Sequence, residues 1–213
     1  MKLNKKLSEL TGVILGDGNL HKKSNCITIV GSLEDIYYYK NRVIPLFEEL
    51  FNMKPKLRRR NDRNAYYLHL ENKKVFEFLT KEVGLVRGNK TNAKIPRFVL
   101  NDKKMTICFL RGLYDTDGCL KFSKQTKEIN YYPRVQFDFK KSNFAHQIGN
   151  ILNKVDFKYG KWEENTNNEL VFYHISGNDN LERWFRIIKP KTQFILVNIY
   201  FGKNLVIIYQ NPL

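Results

Sequence analysis

The chain has 213 residues, 42% of them hydrophobic, and carries 37 Lys and Arg against 21 Asp and Glu, a formal charge of +16. That is enough apolar material for one large domain or two small ones sharing an interface, and the positive excess points to a polyanionic partner, nucleic acid first. Three scattered cysteines, Cys26, Cys108 and Cys119, argue against a disulfide framework or a cysteine metal cluster, and no apolar run has the length of a membrane span or the pattern of a secretory signal.

Periodicity and turn residues predict a helix over about 6–16, strands near 19–23 and 26–31, a helix over 34–51, strands over 55–61 and 65–71, and a helix over 73–84. Gly84 to Phe98, with Gly, Lys, Asn and the Ile95-Pro96-Arg97 triplet, reads as a connection in which proline discourages a continuing helix. Beyond it come a helix over 103–116, strands near 119–125 and 132–139, a helix over 142–154, strands over 157–164 and 169–176, and a helix over 178–188. The order of the second set repeats the first. Residues 189–213 have alternating apolar positions without a counterpart in the first half and are expected to add a hairpin or strand pair.

The repetition is also literal. Leu10-Thr-Gly-Val-Ile-Leu-Gly-Asp-Gly18 returns one hundred residues later as Leu110-Arg-Gly-Leu-Tyr-Asp-Thr-Asp-Gly118. Small residues stand four apart in each copy, Gly12 and Gly16, then Gly112 and Thr116, on one helix face, so two such helices can pack closely. Packed about a pseudo-twofold axis, they bring Asp17 and Asp117 side by side at the negative ends of two helix dipoles, which calls for raised pKa values or a bound cation. With a carboxylate at both repeated positions and no His or Cys repeated beside it, the oxygen ligands suit Mg²⁺, or Mn²⁺ as a substitute, and not zinc. Phosphodiester hydrolysis is the reaction such a centre performs naturally. The alternative is that both aspartates are only turn residues before glycine.

The two nine-residue segments resemble the paired LAGLIDADG (dodecapeptide) motifs of single-chain homing endonucleases. The likeness extends to Val43-Ile-Pro45-Leu-Phe47 with Lys54-Pro-Lys-Leu-Arg-Arg-Arg60, and to Gly88-Asn-Lys90 with Ile95-Pro-Arg97, in the style of archaeal members. It implies an α+β fold of tandem, pseudo-twofold αββαββα repeats with the motif helices at the interface and saddle-shaped antiparallel sheets over the DNA major groove. The expected divisions are residues 1–87, a linker 88–102, residues 103–188, and an extension 189–213.

The resemblance further implies that Asp17 and Asp117 bind metal and catalyse, that the carbonyls of Gly16 and Thr116 join them, and that Asp115 faces away in a structural role. Lys141, in Phe139-Lys-Lys-Ser142, matches the lysine that family members add from a strand end; the corresponding first-half stretch, Val30 to Glu34, supplies none, so unequal cutting of the two strands is expected. DNA contacts are expected from Lys22, Lys23, Arg58, Arg59, Arg60 and Arg63, and from Lys121, Lys124, Arg134, Lys140, Lys158 and Lys161. Lys140 and Lys141 read equally as a solvated pair, and His69 and His174 as structural.

The expected protein is thus an intracellular monomer (cytoplasm or nucleoid, or an organelle in a eukaryote) that cuts both strands of a long double-stranded DNA site. The alternatives are a group I intron maturase, with intron RNA as partner, and a DNA-binding regulator that has lost cleavage. The ends of the chain, Met1 and Gln210 to Leu213, lack splice-junction residues and suggest a freestanding protein rather than an intein.

Overall fold

The computed structural model describes residues 2–61, 64–124, 132–164, 169–192, 199–201 and 204–206. Helix α1 (Lys5–Gly16) starts where the Asn4 side chain accepts the Leu7 amide, and its counterpart α6 (Lys103–Asp117) starts where Asp102 caps the Met105 amide. After α1 come β1 (Gly18–Leu20), β2 (Cys26–Ser32), α2 (Ile36–Tyr38), a π-helical turn (Tyr39–Val43), α3 (Ile44–Phe51), β3 (Lys56–Arg59), β4 (Ala65–Glu71), and α4 (Lys73–Glu77) with a second π-helical turn (Phe78–Glu82). After α6 the order is β5 (Gly118–Ser123), β6 (Tyr132–Lys140), α7 (Asn143–Lys154), β7 (Gly160–Glu163), β8 (Leu170–Ser176) and α8 (Asn178–Ile187).

Each set of strands forms one antiparallel four-stranded sheet, ordered β1-β2-β4-β3 and β5-β6-β8-β7. The identical order is the αββαββα duplication expected from the motif repeat. Alternation along the strands sends Ile27, Ile29, Leu68 and Leu70 of one sheet, and Val135, Phe137, Tyr173 and Ile175 of the other, into a single buried core shared by both halves. Leu10, Val13, Leu110 and Leu113 of the motif helices lie at its centre, fully buried.

The connection between halves is more ordered than its composition predicts. A 3₁₀ turn (Lys90–Asn92) is capped by Asn89, and a short helix α5 (Arg97–Asn101) begins directly after Pro96. Proline here opens a helix instead of only preventing one, because its fixed φ of −59° and missing N–H cost nothing at a helix start. In the extension, β9 (Ile199–Phe201) and β10 (Asn204–Val206) pair antiparallel, the strand pair expected there. Among the described residues, no helix is long and apolar enough to cross a membrane.

Candidate active site between the motif helices

The crossing of α1 and α6 is the most extensive packing between any two elements among the described residues, and it is main chain against main chain. A Cβ at Gly12 would stand 2.2 Å from the Phe109 carbonyl oxygen, and one at Gly112 would stand 2.0 Å from that of Glu9. Further along, a Cβ at Gly16 would lie 2.0 Å from Thr116 Oγ1 and 3.4 Å from the Asp117 carboxyl carbon. Thr116 itself is satisfied within its helix, donating to the Gly112 and Leu113 carbonyls. The glycine spacing read in the sequence therefore brings the Gly16-Asp17 and Thr116-Asp117 ends together.

Burial there drives both carboxyls upward. Asp17 rises from 3.8 to about 7, by burial first, then by the charges of Asp117 and Asp35, against the opposing pull of Lys90. Asp117 rises to about 6, again by burial and against Lys90. Lys90, carried on the linker, donates its ammonium to the Leu15 carbonyl at 2.9 Å and also to that of Gly16. Its own pKa is lowered by burial, with Asp117 and Asp17 holding it up. Tyr39, in the first π-helical turn, adds a buried hydroxyl without a hydrogen-bond partner among the described residues, raised by burial and by Asp17 and Asp35. Gly31 makes room for it: a Cβ there would meet the Tyr39 hydroxyl at 2.3 Å and the Asp35 carboxylate at 2.6 Å.

A cleft of about 460 Å³ opens beside this centre, lined by Gly16, Lys90, Asp117, Lys140, Lys141 and Glu169 among others. Lys141 lines the same cleft as Asp117, with its ammonium engaged with Glu163 at 3.2 Å. Asp115 points elsewhere. Buried, with its pKa raised to about 7, it accepts the Lys191 amide at 2.9 Å and both the amide and hydroxyl of Thr192, tying the segment after α8 to the motif helix. Glu9, also buried, joins Arg42 at 2.5 Å to Arg111 at 3.0 Å across the two halves.

Two carboxylates, joined by the Gly16 and Thr116 carbonyls that the resemblance implies, are hard oxygen donors that suit a divalent ion of the Mg²⁺ kind better than zinc. No cluster of three His, Cys, Asp or Glu side chains with metal-holding geometry exists among the described residues. Two carboxylates alone still suit an ion of the Mg²⁺ kind, which keeps several waters and takes further ligands from substrate phosphate.

Strand register sorts the remaining basic residues. On the outer face of the first sheet, Asn19, Thr28, His69 and Lys56 form one row, and Val30, Tyr67 and Arg58 the next. On the second, Lys121, Arg134 and Ser176 form a row beside Cys119, Gln136 and His174, and Asp138, Phe172 and Trp162 form another. Lys22 and Lys23 are exposed in the β1–β2 turn, and Lys124, Lys140 and Lys158 are exposed near strand ends. Two expected residues fall on the opposite parity. Arg59 aligns with Tyr66, in step with the Leu57–Leu68 pair, and Lys161 aligns with core Tyr173 and pairs with Glu163, so the register does not bring either to the outer face. Arg60 continues past β3, its amide bonded to the Ala65 carbonyl, and Arg63 lies outside the described residues. Missed in the sequence were Lys56, Lys90 and Trp162. Trp162 is 55% exposed and lies 4.6 Å from Phe172, ring centre to ring centre; strict alternation along β7 and β8 could have placed it.

Two glycine-packed motif helices, each followed by an antiparallel sheet of the same strand order, define the LAGLIDADG homing-endonuclease fold in its single-chain, two-motif form. Residues 105–189 match the family model described as a LAGLIDADG-like domain. Among solved structures, the chain resembles I-DmoI in complex with DNA and Mn, at TM-score 0.60 and 19% identity over 88% of this chain and 98% of that one. It also resembles the N-terminal LAGLIDADG domain of DUF199/WhiA, at TM-score 0.58 and 15% identity over 88% and 83%. A replication factor C small subunit of Methanocaldococcus jannaschii is 30% identical over 190 residues, 84% of this chain; the chain spans only 9% of the length of that relative.

Proposed function

We propose that the chain is a site-specific DNA endonuclease that hydrolyses phosphodiester bonds in both strands with the help of a divalent ion held between Asp17 and Asp117. The observation that carries this reading is the meeting of the two motif ends, where burial holds both carboxyls well above their usual range and the charge of Asp117 raises Asp17 further. Paired acidic groups so destabilised are expected at a site made for a cation. When bound there, Mg²⁺ or Mn²⁺ supplies positive charge to a phosphate oxygen and lowers the pKa of an attacking water.

The chain's own groups supply the rest. The outer rows of Lys56, Arg58, Lys121 and Arg134, with the lysines of the β1–β2 turn and Lys124, Lys140 and Lys158, form the surface for the duplex, where Lys meets phosphate and Arg can read guanine. The Trp162–Phe172 pair adds an apolar contact on the same face. Lys141 stands at the cleft to steady phosphate charge once Glu163 releases it. Relatives with this fold that are solved with DNA and Mn support the reading.

The test is digestion of a randomised double-stranded DNA library with Mg²⁺ or EDTA by wild type, Asp17→Asn and Asp117→Asn. Metal-dependent cuts at one recurring sequence, lost in both variants, are expected. Tight binding without cutting in any metal refutes it in favour of a binding protein, a reading that one observation supports: Lys90 already lies against Gly16.

A further inference from the structure

We infer that Lys90 is a built-in cation that holds the carboxylate pair in the absence of metal and must leave the Gly16 carbonyl when a divalent ion binds. The inference rests on the metal site proposed above. Three features carry it. The Lys90 ammonium donates to the Leu15 and Gly16 carbonyls, and Gly16 is one of the oxygens that the all-oxygen donor set offers a metal. Lys90, Gly16 and Asp117 line one cleft, and both Asp117 and Asp17 favour the charged form of the ammonium, so it lies in the field of the same two carboxylates. A compact ammonium with three donors is suited to replace a small cation among oxygens.

The linker itself is fastened on either side of this lysine. The Gly88 amide donates to Leu20 of β1 at 2.6 Å, Asn89 accepts from both the amide and hydroxyl of Thr91, and the Ile95 amide donates to Gln147 of α7 at 2.8 Å. The backbone carrying Lys90 therefore stays put and the side chain does the moving. It has somewhere to go: the 460 Å³ cleft that Lys90 lines also contains Glu169 and opens towards Lys140 and Lys141. Withdrawn into it, Lys90 would add an ammonium to the wall that Lys140 and Lys141 already line.

Lys90→Met keeps the length of the side chain and removes its charge. Mn²⁺ binding by titration calorimetry, without DNA, compares wild type, Lys90→Met and Asp17→Asn. Lys90→Met is expected to bind Mn²⁺ about tenfold tighter than wild type, a coupling within the usual range for linked binding events, and to melt lower in EDTA. Equal or weaker affinity in Lys90→Met, or no binding by either protein, overturns the inference. A second measurement needs no variant: mass-spectrometric mapping of reductive methylation on wild type should show Lys90 protected in EDTA and labelled in Mn²⁺, and unchanged labelling also overturns it. Neither readout depends on cleavage. A chain that cuts no DNA yet binds Mn²⁺ more tightly without Lys90 loses the nuclease reading and keeps the exchange; one that cuts but shows no difference loses only the exchange.

Discussion

Gly112→Ala tests the main-chain crossing on which the site depends. Its Cβ would sit 2.0 Å from the Glu9 carbonyl oxygen and 3.0 Å from the Val13 nitrogen, neither of which can rotate aside. Restoring ordinary contact parts α1 and α6 locally by about 1 Å, which forfeits a quarter to a half of each dispersion well across the gap. If about half of the ~50 contacts of a buried aliphatic side chain face the other helix, they contribute about 4 kcal/mol per side chain and lose about 1–2 kcal/mol of it. Leu10, Val13, Leu110 and Leu113 together then lose about 4–8 kcal/mol, and the better helix propensity of alanine returns about 1 kcal/mol. The net expectation is at least about 3 kcal/mol of destabilisation, read from urea unfolding. Gly84→Ala is the reference: nothing lies within 4 Å of its Cβ, and only its φ of +85° opposes a side chain, a cost of about 1–2 kcal/mol. If Gly112→Ala unfolds within about 1 kcal/mol of wild type, the helices do not cross in this register.

Glu9→Gln leaves Arg42 and Arg111 without their shared carboxylate, and should cost about 3 kcal/mol in the same unfolding assay, the low end for breaking a buried pair because Arg42 reaches solvent. Asp17, Asp117 and Asp115 all have folded pKa values above the ordinary 3.8. The folded chain therefore keeps protons that the unfolded chain has released between about pH 4 and pH 7, and stability falls as pH rises through that window, by about 1.4 kcal/mol per pH unit for each fully offset group. Melts in EDTA should show this fall, with a shallower slope for Asp17→Asn and a smaller loss at pH 8 when Mg²⁺ is added. For DNA binding, Arg134→Ala and Lys121→Ala should each weaken affinity, with Lys121→Ala lowering the salt slope by about one if it meets phosphate, whereas Lys161→Ala, held on the helix side by Glu163, should leave both unchanged in an ionic-strength titration.

The architecture was legible because its signals are local and doubled. Leu10 to Gly18 and Leu110 to Gly118 announce two equivalent helices, and glycines at four-residue spacing announce their close contact. What stayed hidden depends on contacts between distant segments. Lys90 touches Leu15 and Gly16 only because the linker, pinned at Gly88 and Ile95, passes the ends of the motif helices; no pattern around residue 90 reports that path. Arg59 and Lys161 look like any other strand lysine or arginine until edge-strand register assigns their side. Glu9, Arg42 and Arg111 are ordinary charges in sequence, and only tertiary packing buries them together. The π-helical turn that delivers Tyr39 towards Asp17 leaves the hydrophobic period almost unchanged, so the predicted helix over 34–51 contained it unseen.

Because α1 and α6 meet through peptide groups at Gly12 and Gly112, the spacing of the two helices at their crossing contains no side-chain rotamer. It behaves like a gauge machined into the frame, while the outer rows of the sheets are interchangeable parts fitted to it. Substitution at Arg58, Tyr67, Arg134 or Trp162 leaves the gauge untouched, and substitution at either glycine resets it whatever the sheets carry. Under the nuclease reading, such a molecule can be re-addressed to new sequences many times over without its cutting centre ever being retuned.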